Sequence, residues 1–134
     1  MEKIAGTINV VHDNLAAAKL SAGHFLERAY NNFGYFGLKN SYWSEERITF
    51  LDEILKDQGM GPIFRLELEI DPSSNWLCEL QRRYFDREVS WLKSLPKPVA
   101  VICCNDLFAS CIVKACQASD IKVPDEVAVL GADN

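Results

Sequence analysis

The feature that most constrains this chain is a regular alternation. Short apolar runs take turns with segments whose apolar residues recur every three or four positions. Residues 7–11 are a β-branched run. Behind Asp13, which suits a helix cap, Leu15, Ala18, Ala22, Phe25, Leu26 and Ala29 follow at helical spacing. Residues 32–36 form the next apolar run, stopped by Gly37. Ser44 reads as an N-cap, with Glu45 and Glu46 in the first turn where the helix dipole favours carboxylates. Ile48, Leu51, Ile54 and Leu55 are that helix's buried stripe. Residues 63–70 alternate Phe64, Leu66, Leu68 and Ile70 with Arg65, Glu67 and Glu69, the pattern of a half-exposed strand near a sheet edge. A long amphipathic helix runs from Leu77 to Leu95 and breaks at Pro96 and Pro98. Residues 99–103 are continuously apolar, as in a strand buried on both faces. Phe108, Ile112, Ala115 and Cys116 mark the next helix, and residues 127–130 a last buried strand.

Strands alternating with helices imply a parallel sheet covered on both faces, a three-layer α/β/α fold with right-handed crossovers. A length of 134 residues suits one compact domain. The chain stops directly after a core strand with no covering helix, so residues 1–134 read as a fragment of something larger.

Charge narrows the partners. Fourteen Lys and Arg against nineteen Asp and Glu leave a net charge of −5, which is not the electrostatic footprint of a nucleic-acid surface. If the protein controls DNA, another part of the polypeptide touches it. No apolar run can span a bilayer, and residues 1–6 lack the apolar core of a secretory signal, so the expected setting is the cytoplasm. The five cysteines, Cys78, Cys103, Cys104, Cys111 and Cys116, contain no Cys-x-x-Cys pair and read as small buried hydrophobes with no metal role.

Open parallel sheets bind ligands outside the carboxyl ends of their strands, and the polar residues gather there. His12, Asp13 and Asn14 follow the first run; Trp43 and Arg47 follow the second; Asp71, Asn75 and Trp76 the third; Asn105 and Asp106 the fourth; Asp133 and Asn134 the fifth. Carboxylates, amides, a guanidinium and aromatic rings suit a sugar, because planar polar groups bond adjacent hydroxyls and ring faces pack on C–H surface. Each has a plainer reading. Asp13 is a helix cap before it is a ligand contact. One of Asn105 and Asp106 caps a helix while the other is free. Trp43 and Trp76 serve equally as packing residues or ring platforms. Arg47 is either a solvated helix residue or a ligand group, and in the latter role Arg47→Ala, like Asp133→Ala, is expected in the complete protein to abolish the ligand response and leave the fold intact. Asp133, directly after a buried strand and a glycine, has no helix left to cap.

Enzyme signatures are missing. The chain holds no Gly-x-Gly-x-x-Gly, no Gly-x-x-x-x-Gly-Lys, no Gly-x-Ser-x-Gly and no His-Glu-x-x-His. No catalytic residue, cofactor or metal is expected.

The motifs also carry a resemblance. Val10-Val11-His12-Asp13-Asn14, with Ala16-Ala17-Ala18 and His24-Phe25-Leu26, resembles the opening of the C-terminal lobe of LacI/GalR-type regulators. Ser44-Glu45-Glu46-Arg47 resembles their serine-to-arginine helix, with Phe50 standing where a glycine is usual. The stretch from Trp91 to Val101, then Cys104-Asn105-Asp106, Val123-Pro124 and Val127 to Asn134, is similar to the xylose-operon regulator branch. There a LacI-like sensor precedes an AraC-type pair of helix-turn-helix motifs. The resemblance covers nearly the whole chain. It implies one lobe of a periplasmic-binding-protein-like type I fold, and a small sugar effector such as xylose. It also implies a homodimer in the complete protein, and DNA contact only through a domain absent here. It maps the effector contacts onto Arg47, Asn105 and Asp133, with Trp43 and Trp76 as looser matches. A transport-type sugar-binding protein, a flavodoxin-like enzyme domain and a plain interaction module are the competing readings.

Overall fold

The computed structural model describes residues 6, 8, 10–69 and 85–132. In chain order its elements are α1 (Asn14–Leu26), β1 (Phe33–Leu38), α2 (Tyr42–Asp57), β2 (Phe64–Leu68), α3 (Asp86–Ser94), β3 (Val99–Cys103), α4 (Asp106–Ala118) and β4 (Val127–Leu130). The four strands form one parallel sheet in the order β2-β1-β3-β4.

That order produces the layers. From β1 the chain moves one way across the sheet to β2; from β3 it moves the other way to β4. Right-handed crossovers therefore send α2 to one face and α4 to the other. α1 packs on α2, and α3 on α4. Alternation along β1 agrees. The Tyr35 phenol reaches Ser44 on α2, while Phe36 packs on Trp91 of α3 and Phe108 of α4, with ring centroids 6.3 and 5.0 Å away. The three layers expected from the sequence are the layers observed.

β3 is buried along its whole length, as its unbroken apolar run requires. β2 lies at the sheet edge with Phe64 and Arg65 exposed. Phe108, Ile112, Ala115 and Cys116 face inward on α4. Cys103, Cys104, Cys111 and Cys116 are buried thiols, and burial pushes Cys116 up to about 11, so it stays protonated at neutral pH. Cys78 and the start of the helix expected from Leu77 lie outside the described residues.

Three expectations give way. Ile8, Val10 and Val11 of the first β-branched run belong to no strand, and Ile8 and Val10 are 93% and 94% exposed. A strand is held by ladder bonds to a neighbour, and no described strand runs beside this segment. β1 does not stop at Gly37 but continues to Leu38. Ser44 does not cap α2, which begins at Tyr42 behind Ser41. The Ser44 hydroxyl turns inward instead. It accepts the Leu38 N–H at 3.1 Å and lies 3.1 Å from the Tyr35 phenol oxygen, whose proton goes to the Ser44 carbonyl.

Gly37 is what makes room for this junction. A β-carbon there would lie 2.3 Å from Tyr35 Cε1 and 2.9 Å from Ser44 Oγ. Gly23, inside α1, has nothing within 4 Å of the same position. Urea unfolding should separate the two: Gly37→Ala loses about 1–3 kcal/mol through overpacking, whereas Gly23→Ala gains about 0.5–1 kcal/mol of helix stability.

Candidate functional site

Adjacent strands whose following helices leave to opposite faces open a crevice at their carboxyl ends. Here those strands are β1 and β3. The side chain that stands at this junction is Arg47.

Arg47 belongs to the buried stripe of α2, together with Ser44, Ile48, Leu51 and Leu55, and is 3% exposed. Its Nη1 donates to the carbonyl of Cys104, just past β3. Its Nε and Nη2 both donate to Asn14 Oδ1, at 3.2 and 3.0 Å. The Trp43 ring centroid lies 5.9 Å from the guanidinium carbon, within cation–π range. No carboxylate among the described residues stands within ion-pair distance of Arg47. A guanidinium has five N–H donors; the three contacts engage Nε and one N–H on each terminal nitrogen, leaving a second N–H on Nη1 and on Nη2.

Asn14 is the first residue of α1 and is buried. Its Nδ2 donates to Glu46 Oε2 at 2.8 Å, and the other Glu46 oxygen accepts the Tyr42 hydroxyl at 2.7 Å. The run Tyr42–Glu46–Asn14–Arg47–Cys104 thus ties the start of α2, the start of α1 and the end of β3 together. The Asn14 amide, and then the Tyr42 hydroxyl, hold the Glu46 carboxyl below the usual carboxylate range.

Asn105 resolves the capping alternative. Its Oδ1 accepts the Phe108 N–H at 2.9 Å as the N-cap of α4, and Asp106 is the first helical residue. The Nδ2 of Asn105 has no partner among the described residues. Arg47 grips the carbonyl one residue before Asn105, so the two groups meet at the same strand end. Gly131 brings the end of β4 to the same place. A β-carbon on it would fall 2.1 Å from Asp106 Oδ1 and 3.0 Å from Asp106 Cα.

The other predicted residues separate. Asp13 is the N-cap of α1, its Oδ1 accepting the Ala16 N–H at 2.9 Å, and it is exposed. Trp43 is half-buried against the core. Trp76 and Asp133 lie outside the described residues. Sequence reasoning placed Asn14 among the polar residues after the first run but gave it no role, although the signal was present: Asn14 precedes Ala18, Ala22 and Phe25 on one helical stripe, a polar group where the core faces. The solvated reading of Arg47 fails on its burial. Arg47→Ala strips these donors from Asn14 Oδ1 and the Cys104 carbonyl, an expected loss of about 1–3 kcal/mol in urea unfolding.

A separate open groove of about 680 Å³ runs along α1, lined by Leu20, Gly23, His24 and Glu27 and by residues 130–132. Its walls are mainly apolar and include none of Arg47, Asn14 and Asn105. Orientation of a polar ligand needs convergent polar groups, and those are at the strand ends. Among the described residues no cluster of His, Cys, Asp or Glu could hold a metal, and no helix is long and apolar enough to cross a membrane.

Residues 22–134 match the family of periplasmic binding protein-like domains. The chain is 32% identical over 128 residues to the xylose operon regulatory protein of Haemophilus influenzae, a match covering 93% of this chain and 32% of that protein. The corresponding Escherichia coli K12 protein is 29% identical over 128 residues, covering 93% of this chain and 31% of its own length. Among solved structures, the xylose-binding transcription activator xylR superposes with a TM-score of 0.75 at 26% identity, over 100% of this chain and 36% of its own. The chain therefore spans about a third of the length of these relatives.

The Glu46 contacts set a pH dependence. A folded carboxyl held below its unfolded value contributes stability above the ordinary carboxylate range and loses it as pH falls through the folded value. Carbon-detected NMR titration should find Glu46 ionising below the ordinary 4.5. Asn14→Ala should move it up further than Tyr42→Phe does, following the order of the two causes.

Proposed function

This chain belongs to the family of periplasmic binding protein-like domains, and we propose that it is the effector-binding lobe of a bacterial transcription regulator that senses a small sugar such as xylose. The observation that carries the reading is similarity to xylose operon regulatory proteins along 93% of the chain. The junction at the carboxyl ends of β1 and β3 supports it with chemistry. Among the described residues Arg47 leaves two N–H groups uncommitted and Asn105 an amide nitrogen, donors suited to sugar hydroxyl and ring oxygens. Asp133 adds the acceptor, and Trp43 and Trp76 add ring surface. Asp13 acts as the α1 cap.

In this account residues 1–134 form one lobe and a second lobe supplies the opposite wall of the cleft. DNA contact belongs to an AraC-type domain elsewhere in the polypeptide, since the net charge of −5 suits no DNA surface. The protein is a cytoplasmic homodimer and performs no catalysis of its own. Closure of the cleft alters the spacing of the DNA-binding modules. The sugar shifts that equilibrium only by its preference for the closed state.

The test is a thermal-shift screen of the complete gene product against pentoses, hexoses and sugar phosphates. One sugar should raise the melting temperature selectively, reaching about 2.7 kcal/mol of stabilisation at a hundredfold excess over Kd. Asp133→Ala should abolish that shift. So should Asn105→Asp, which keeps an acceptor for the Phe108 N–H but removes the free amide donor, with stability unchanged to within about 0.5 kcal/mol. No shift with any sugar, in a folded protein, would contradict the reading.

A further inference from the structure

We infer that Asn14 is the positioning residue of the ligand site, a neutral clamp that orients the Arg47 guanidinium without discharging it. The inference rests on the ligand role proposed for Arg47 and assigns a function to a residue outside the predicted contact set.

Three observations carry it. The first is geometric. One oxygen, Asn14 Oδ1, accepts from both Nε and Nη2 of Arg47, while Nη1 is held by the Cys104 carbonyl. Grips on two edges of a planar cation fix its plane, and the remaining N–H groups on Nη1 and Nη2 then point in set directions. The second is that the clamp cannot be turned over. Asn14 Nδ2 donates to Glu46 Oε2 at 2.8 Å. Reversing the amide would aim its N–H groups at a cation and its oxygen at a carboxylate, so charge fixes the orientation. The third is electrostatic. No carboxylate among the described residues stands within ion-pair distance of Arg47. Glu46 is the nearest acid in this run of bonds, and the Asn14 amide stands between it and the guanidinium.

These facts account for an amide at this position. Aspartate would offer the same acceptor geometry, but it would neutralise Arg47 and set two carboxylates side by side. An uncharged acceptor leaves the cation free to bond ligand oxygens. Asn14 is also the first residue of α1, next to the capping residue Asp13, so the guanidinium takes its aim from the start of that helix as well as from the sheet.

The test pairs two variants with two readouts. Asn14→Ala removes the clamp; Asn14→Asp keeps the shape and changes the charge. The first readout needs no ligand. In proton–nitrogen NMR of this chain, the Arg47 Nε–H should give a resolved, slowly exchanging signal, assigned by its loss in Arg47→Lys. Asn14→Ala should return it to fast exchange, whereas Asn14→Asp should retain it. A role limited to helix stability would leave that signal in place in every folded variant. The second readout is D-xylose affinity of the complete gene product. Both variants should bind about tenfold more weakly or worse, the worth of one charge-assisted contact. An Nε–H signal unmoved by Asn14→Ala, or D-xylose affinities within about twofold of the parent in both variants, would overturn the inference. If the parent binds no sugar while the Nε–H signal still depends on Asn14, the clamp stands and the sugar reading falls.

Discussion

Moving a guanidinium out of water costs several kcal/mol before any contact is counted, and a buried ion survives only where hydrogen bonds replace its hydration. Arg47 is 3% exposed and, among the described residues, meets that requirement without a counter-ion. One amide oxygen, one main-chain carbonyl and the face of Trp43 stand in for water. Each comes from a different place in the sequence: Asn14 from α1, Cys104 from the end of β3, and Trp43 from the first turn of α2. The cation therefore fastens α1 and α2 to the carboxyl end of the sheet. The sheet must have β1 and β3 adjacent for this to happen, and the strand order β2-β1-β3-β4 provides it. The same reversal of direction that opens a crevice also brings the polar junction to its floor.

Much of this was legible in the sequence, and the parts that were not share a cause. Periodicity is a local signal, and it located β1 to β4, the edge position of β2 and the inward face of α4. It misjudged Ile8, Val10 and Val11 because a β-branched run declares a preference for extended backbone but says nothing about a neighbour to pair with. It misjudged Ser44 because a serine before two glutamates fits a helix cap. The competing demand, a hydroxyl wanted by Tyr35 and by the Leu38 N–H, comes from another element. Arg47 was found from its place after an aromatic segment, yet its burial was not, although it shares the stripe of Ile48, Leu51 and Leu55. Asn14 was overlooked for the mirror-image reason. It was read by its position after a run, when its phase with Ala18, Ala22 and Phe25 already set it against the core.

The two faces of the junction have different work. Inside, Tyr35, Ser44 and Gly37 lock β1 to α2 through a phenol that burial keeps protonated. At the rim, Asn105 spends one end of its amide on capping α4 and keeps the other. Arg47 likewise spends three donors on the fold and, among the described residues, holds two in reserve. On the ligand role proposed for Arg47 and Asn105, these contacts order the donors before the ligand arrives, which lowers the ordering penalty of binding. The chain spans about a third of the length of its relatives. On the proposed reading of the chain as one wall of a sugar cleft, a neutral sugar should bind it weakly, with a Kd above ~1 mM.

The most direct measurement is a proton–nitrogen NMR titration of this chain with D-xylose at concentrations reaching well above ~1 mM. Saturable shifts confined to the carboxyl ends of the strands are expected. They should appear at the amides of residues 43–47, 104–107 and 131–134 and at the Arg47 side chain. Shifts centred instead on the groove beside α1, at Leu20, Gly23 and His24, or none at saturating sugar, would contradict it.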